Sequence, residues 1–345
     1  MRLTPIPTLP RRIMMRAREV LPGVSLCVAI AVVATLIGRF VPLLGSAIPA
    51  VVIGVIIALV MQPRAQLTPG IGYSGKFLLQ FAVVLLGSQL SLASIVRVGA
   101  ESLPVMLTSL AACLLAAWLI GRAMGVERHL RTLIGVGTAI CGASAIAAVS
   151  PVIKARSSDI SYAISTVFLF NLLAVLAFPF VGHLLGMTPH AFGLFAGTAV
   201  NDTSSVVAAA SVFSTSALGF AVVVKLVRTL MIIPVSLGLA AFEARRAAAD
   251  SGRASVRITS LVPWFLVGFL VMAAVASTGL FTDPGVTALR EASVFLIATA
   301  LAGIGLSTNL GAIRTAGFKP LILGGVLSLV VTGTTLTVMS MTGAY

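Results

Sequence analysis

Apolar runs long enough to cross a bilayer recur from one end of this 345-residue chain to the other, and that recurrence leaves few folds open. A spanning helix needs roughly 20 apolar residues. Such runs fall near 20–38, 45–62, 76–96, 103–121, 132–152, 160–182, 190–212, 217–241, 259–281, 289–309 and 320–342. Strand alternation is missing, and lipid forbids irregular backbone that protein does not cover. Charged residues make up only 9% of the chain against 59% hydrophobic, and the mean hydropathy is +1.12. The expected fold class is all-α: a polytopic transmembrane helical bundle of about 11 hydrophobic segments. Residues 1–19 read as a basic cytoplasmic N-terminal segment and 20–345 as a single transmembrane domain.

The net charge of +14 is an orientation signal rather than a nucleic-acid footprint. Arg2, Arg11, Arg12, Arg16 and Arg18 precede the first span, which places the N-terminus in the cytoplasm. Arg64, the group Arg122, Arg128 and Arg131, the group Arg245, Arg246, Arg253 and Arg257, and Arg314 with Lys319 then fall inside. Arg39, Arg97 and Arg290 fall outside, so the split is fifteen against three. The expected address is a bacterial inner membrane, multi-pass, with the C-terminus periplasmic. The expected partners are the lipid bilayer and a small anionic substrate, with no nucleic acid; a homo-oligomer is compatible with the sequence. Cys27, Cys113 and Cys141 lie in hydrophobic segments, where neither a disulfide framework nor metal-ligand spacing is seen. No metal and no cofactor are expected, apart from H+ or Na+ as a coupling ion.

Asp202 is the one carboxylate set deep in an apolar segment; the other eight acids sit at segment ends or in loops. Lys225 and Arg228 follow within 27 residues, three apart and on one helix face. Each charge at the bilayer centre costs about 2.5–3.5 kcal/mol on insertion scales, so an intramembrane cluster is a functional site by default. Two cations against one anion leave a positive surplus, and a guanidinium fork matches the oxygens of sulfate, sulfonate or carboxylate. The expected substrate-binding residues are Lys225, Arg228, Gly142, Ala143, Ser144, Thr203 and Ser204, with Asp202 and Asn201 coupling the ion. Asn171, Gln80 and Gln89 are expected to hydrogen-bond between helices. Pro234 is placed to kink the helix that carries the two cations.

Segments 132–152 and 190–212 are poor helices for lipid. They align without gaps from Gly137 and Gly197, with Thr138/Thr198, Ala139/Ala199, Ser144/Ser204 and Ala148/Ala208 identical. Small and hydroxylated residues permit close packing and also tolerate a backbone break that lines a cavity. A second pair, 87–95 and 305–313, shares Gly, Leu and Ile positions in opposite membrane orientation, as an inverted repeat requires. The charge rule fits better when both soft segments re-enter, giving nine full spans and two hairpins or broken helices.

The string Ile140-Cys-Gly-Ala-Ser-Ala-Ile-Ala-Ala148 followed by Pro151-Val-Ile-Lys154 resembles the YeiH-type sulfate exporter family of bacterial membrane proteins. So do Asn201-Asp202-Thr203, Lys225-Leu-Val-Arg228 with Pro234, and Gly305-Leu-Ser307-Thr308. The chain departs from that family's pattern at Asn201, Ser205, Gln80 and Gln89. The resemblance implies a secondary transporter with inverted repeats and broken helices, exporting sulfate, sulfite or an organosulfonate by alternating access. The alternative is a Na+/H+-type antiporter built on Asn201-Asp202. An enzyme is not expected and no catalytic residue is assigned. Gly142-Ala143-Ser144 has no histidine inside a span to act as base, Asp202 has no second intramembrane acid, and no nucleotide-binding Gly-x4-Gly-Lys motif occurs.

Overall fold

The computed structural model describes residues 9–40, 46–61, 64–247, 264–307 and 318–344, with the side chains of 9–18 and 244–247 left aside. Arg2, Arg253, Arg257, Arg314, the side chains of Arg11, Arg12, Arg16, Arg18, Arg245 and Arg246, and the 308–313 half of the second repeat pair lie outside the described residues. Among the described residues every regular element is helical. Among them seven helical runs are long and apolar enough to cross a membrane, and three shorter apolar helices accompany them. The chain is a polytopic helical membrane protein.

Two compact units divide it: residues 1–85 with 283–309, and residues 86–282 with 310–345. The first contains α1 (Leu9–Phe40), α2 (Ala47–Met61), α3 (Thr68–Tyr73), most of α4 (Leu79–Leu86) and α14 (Asp283–Leu306). A π-helical turn, Ser74–Leu78, joins α3 to α4. Glycine sets the closest approach in this unit. A Cβ on Gly54 of α2 would stand 2.6 Å from the Ala302 carbonyl oxygen, and one on Gly305 of α14 would stand 2.5 Å from that of Val51. Both lie far below contact distance, so the α2–α14 crossing exists only because neither residue has a side chain. Ser293 Oγ, fully buried on α14, donates to the Ala82 carbonyl at 2.8 Å.

The second unit holds α5 (Leu92–Ala123), α6 (Arg128–Ala139), α7 (Ala143–Val149), α8 (Ser157–Leu184), α9 (Pro189–Ala199) and α10 (Thr203–Phe213). It continues with α11 (Thr215–Leu230), α12 (Ile232–Ala247), α13 (Trp264–Ser277) and α15 (Phe318–Thr342). The expected segment 76–96 is displaced. The helical run ends at Gln89, Leu90 is extended, and Ser91 caps α5 by accepting the Ser94 N–H. Apolar residues on both sides of that cap hid the boundary from a hydropathy reading. The expected kink at Pro234 falls three residues earlier, at Met231, where α11 ends. Proline has no N–H to return to the Leu230 carbonyl, so the interruption sits on the turn before it.

Side-chain contacts decide how the two soft segments run. Arg156, just before α8, reaches Glu127 at the head of α6 at 2.7 Å, and also Asp159 at 3.1 Å. The start of α6 and the start of α8 therefore lie at the same end of the unit, so α6–α7 is a hairpin that enters and returns. The same test works for α9–α10. Phe192, in the first turn of α9, stacks on Phe213 at the end of α10, ring centroids 4.0 Å apart, and Phe213 also stacks on His183 near the end of α8. His190 lies 3.4 Å from Glu101, near the start of α5, whereas α6 follows the end of α5. The two hairpins enter from opposite ends of the unit.

Candidate functional site

Both hairpins break at the same register. Helix α6 stops at Ala139 and α7 starts at Ala143; α9 stops at Ala199 and α10 starts at Thr203. The offset is 60 residues at each edge, the offset of the Gly137/Gly197 alignment. At 1.5 Å per residue the first arms reach in about 18 and 17 Å from opposite ends, so the tips meet near the middle of a roughly 30 Å hydrocarbon layer. Local chemistry supplies the breaks. Gly142 has φ +68° and ψ −131°, a conformation closed to residues with a side chain. Asp202 caps α10, taking the backbone N–H groups of Ser204 (3.3 Å) and Ser205 (3.0 Å) and both their hydroxyls.

Lys225 ties the tips together. From α11 its Nζ donates to the carbonyl of Ile140 at 2.7 Å and to that of Val200 at 2.9 Å. These are equivalent positions, the first residue after each entering helix. One ammonium thus satisfies the C-terminal ends of both arms, where partial negative charge collects. Asp202 sits at a helix N-terminus, where partial positive charge collects. Each buried charge is held by the helix end of opposite sign. Accordingly, among the described residues Asp202 makes no ion pair with either cation.

Arg228 is as deeply placed as Lys225, both at 0% exposure. Its Nε donates to the Ala139 carbonyl at 2.7 Å, while its two terminal amino groups have no hydrogen-bond partner among the described residues. A buried guanidinium with unspent donors is costly, which marks it as more than a packing residue. Asn171 of α8 supplies what sequence reading under-weighted. Its Oδ1 accepts the N–H of Asn201 at 3.0 Å and of Asp202 at 3.4 Å, fixing the second tip from the side. As the one amide within the eighth helix it was visible in the sequence, but its target was not.

The tips are open where ligand contact is expected. Ala143 and Ser144 are exposed, and Asp202, Thr203 and Ser204 are half-buried, whereas Gly142, Asn201, Lys225 and Arg228 are buried. The structure brings Gly142 against Asp202, since a Cβ on Gly142 would lie 3.4 Å from that of Asp202. Behind the accessible rim stand two cations and a ring of main-chain dipoles. Outside the membrane-spanning segments, the hydrogen bond to Asp159 and the charges of Asp159 and Glu127 hold the Arg156 guanidinium above its ordinary pKa.

Comparison with known proteins agrees with this membrane architecture. Residues 22–324 match the family model described as Conserved hypothetical protein 698. A UPF0324 membrane protein of Streptococcus agalactiae serotype V is 38% identical over 336 residues, covering 95% of this chain and 99% of the relative. One from Streptococcus pyogenes serotype M3 is 39% identical over 321 residues, 90% of this chain and 94% of its own length. One from Fusobacterium nucleatum is 38% identical over 322 residues, 88% and 92% respectively. These names state a membrane protein and specify no transported species. The chain belongs to the UPF0324 family of membrane proteins.

Proposed function

We propose that this protein is a secondary transporter of a small anion such as sulfate, sulfite or an organosulfonate, coupled to H+ or Na+ and working by alternating access. The observation that carries the reading is the meeting of two inverted, broken hairpins at mid-depth, pinned by Lys225. Opposed discontinuous helices place helix ends and uncommitted backbone around a midplane site, the arrangement in which secondary transporters hold ions and substrates. The hydroxyls of Ser144 and Thr203 offer donors to an anion, and the Ser204 hydroxyl with the first N–H groups of α10, now held by Asp202, become available to it when Asp202 lets them go. Lys225 and Arg228 supply the positive surplus from behind, Arg228 with both terminal amino groups unspent. Asp202, which makes no ion pair among the described residues, is the coupling group. A proton or sodium ion there removes its repulsion of the anion, linking the two binding events.

The same freedom of Asp202 favours the second reading, a Na+/H+-type antiporter in which Asn201 and Asp202 bind the cation and no anion moves. The charge rule supports a bacterial inner-membrane address with the N-terminus cytoplasmic and the C-terminus periplasmic. Purified protein in liposomes separates the two functions. Uptake of labelled sulfate, sulfite or taurine driven by a pH or sodium gradient, and abolished by Asp202→Asn, is the expected result. Sodium or proton flux that proceeds without any of these anions overturns anion transport. If Arg228→Ala leaves every anion-induced thermal shift intact, the guanidinium does not contact the substrate.

A further inference from the structure

Away from the hairpin tips, the second unit contains a cavity of about 440 Å³ between the end of α5, the start of α6 and the middle of α12. Its lining divides by chemistry. Arg122, Arg128, Arg131 and His129 supply its basic part, and Leu114, Trp118, Val235, Leu239 and Phe242 its apolar part. Glu243 is the single acid in the lining. It is committed to Arg128, which also lies over the Phe242 ring at 5.8 Å. Arg122 and Arg131 have no hydrogen-bond or ion-pair partner among the described residues. The charge left uncompensated is therefore two guanidinium groups, with Lys319 near the adjoining turn at Gly125. Trp118, 52% exposed, lies one helical turn inward of Arg122, the order in which aromatic belt and headgroup-level bases follow each other at a membrane interface.

We propose that this cavity binds an anionic phospholipid, its phosphate on Arg122 and Arg131 and its acyl chains along Trp118, Leu114 and Leu239. A free inorganic anion has no use for the apolar half of the cavity, and a neutral lipid has no use for the unpaired arginines. The volume suits a phosphoglycerol headgroup, falling in the ordinary range for small-ligand sites. Basic pockets between membrane helices recognise lipid headgroups in this way. Because the walls belong to α5, α6 and α12, an occupant cross-links the first hairpin to its scaffold and stabilises the fold.

The test uses the full-length protein in a neutral detergent, with dioleoylphosphatidylglycerol, dioleoylphosphatidylcholine and inorganic phosphate as probes. Binding is read by native mass spectrometry and by thermal shift. Phosphatidylglycerol is expected to remain bound and raise the melting temperature, while the other two do neither. At about a fivefold affinity per basic residue near a membrane surface, Arg122→Gln with Arg131→Gln weakens phosphatidylglycerol about 25-fold. Gly238→Leu probes the site without touching a charge, because a Cβ at this cavity-lining residue meets nothing within 4 Å; it is expected to block binding while the protein stays monodisperse. Equal binding of phosphatidylcholine, an equal shift from inorganic phosphate, or a folded double variant that binds as wild type would each overturn the proposal. Raising NaCl from 0.1 to 0.5 M on the wild type weakens the complex; salt-independent binding overturns it also, with no variant required.

Discussion

Replacing Lys225 by Met tests the claim that one ammonium holds both hairpins. Methionine keeps most of the stem volume in a fully buried site and removes only the donor. The carbonyls of Ile140 and Val200, on residues with 0% exposure, then lose donors at 2.7 and 2.9 Å. Hydrogen bonds to a charged group contribute about 1.5–3 kcal/mol each, so the pair sums to about 3–6 kcal/mol. Taking a buried ammonium away returns part of its desolvation cost. The unsatisfied carbonyls win that comparison because they end two helices at once, leaving a net loss of about 2–4 kcal/mol. Reversible unfolding in mixed micelles measures it. A local readout accompanies the global one: Cys141, 4% exposed in the first tip, reacts with maleimide only when the tip opens. In a Cys27→Ala, Cys113→Ala background its labelling should rise at least tenfold in Lys225→Met, as an opening cost about 1.4 kcal/mol lower gives. A variant within about 0.5 kcal/mol of wild type, with Cys141 labelled no faster, refutes the pin.

Three further substitutions probe the parts around it. Asn171→Ala removes the acceptor for two tip N–H groups and should cost about 1–3 kcal/mol, read by unfolding in micelles. Gly142→Ala meets a forbidden backbone angle, so a loss of about 1–3 kcal/mol is expected in micelle unfolding, and the proposed transport in liposomes should be lost with it. Gly305→Ala drives a methyl into the Val51 carbonyl and should separate α2 from α14, lowering the melting temperature of the whole protein without altering Cys141 labelling.

Much of the site was legible because burying charge is expensive. Asp202, Lys225 and Arg228 stood out against an apolar background, and the Gly/Ser/Thr-rich stretches around Gly142 and Asp202 announced irregular backbone. Their gapless alignment carried the common break register, since residues that cap or free a helix end must recur where the end recurs. The partners of these residues were illegible. An ammonium is equally content with a carboxylate or with two carbonyls, and the sequence alone did not say which of them Lys225 would meet. The start of α5 was hidden for a related reason, as Ser91 acts through local backbone geometry that average hydropathy does not register.

The sequence by itself determined the solvent, the helical class and the residues too costly to be there for packing. Those properties follow from composition and periodicity, which each segment carries alone. Only the tertiary structure decided that both soft segments turn back, that they do so from opposite ends, and that Lys225 joins equivalent carbonyls at their tips. Such facts rest on contacts across 21 to 115 residues of chain, among them Lys225 with Val200, Arg156 with Glu127, Phe192 with Phe213 and Arg128 with Glu243. A side chain's hydrogen-bonding capacity states what it needs, and the folded chain alone determines which neighbour meets that need.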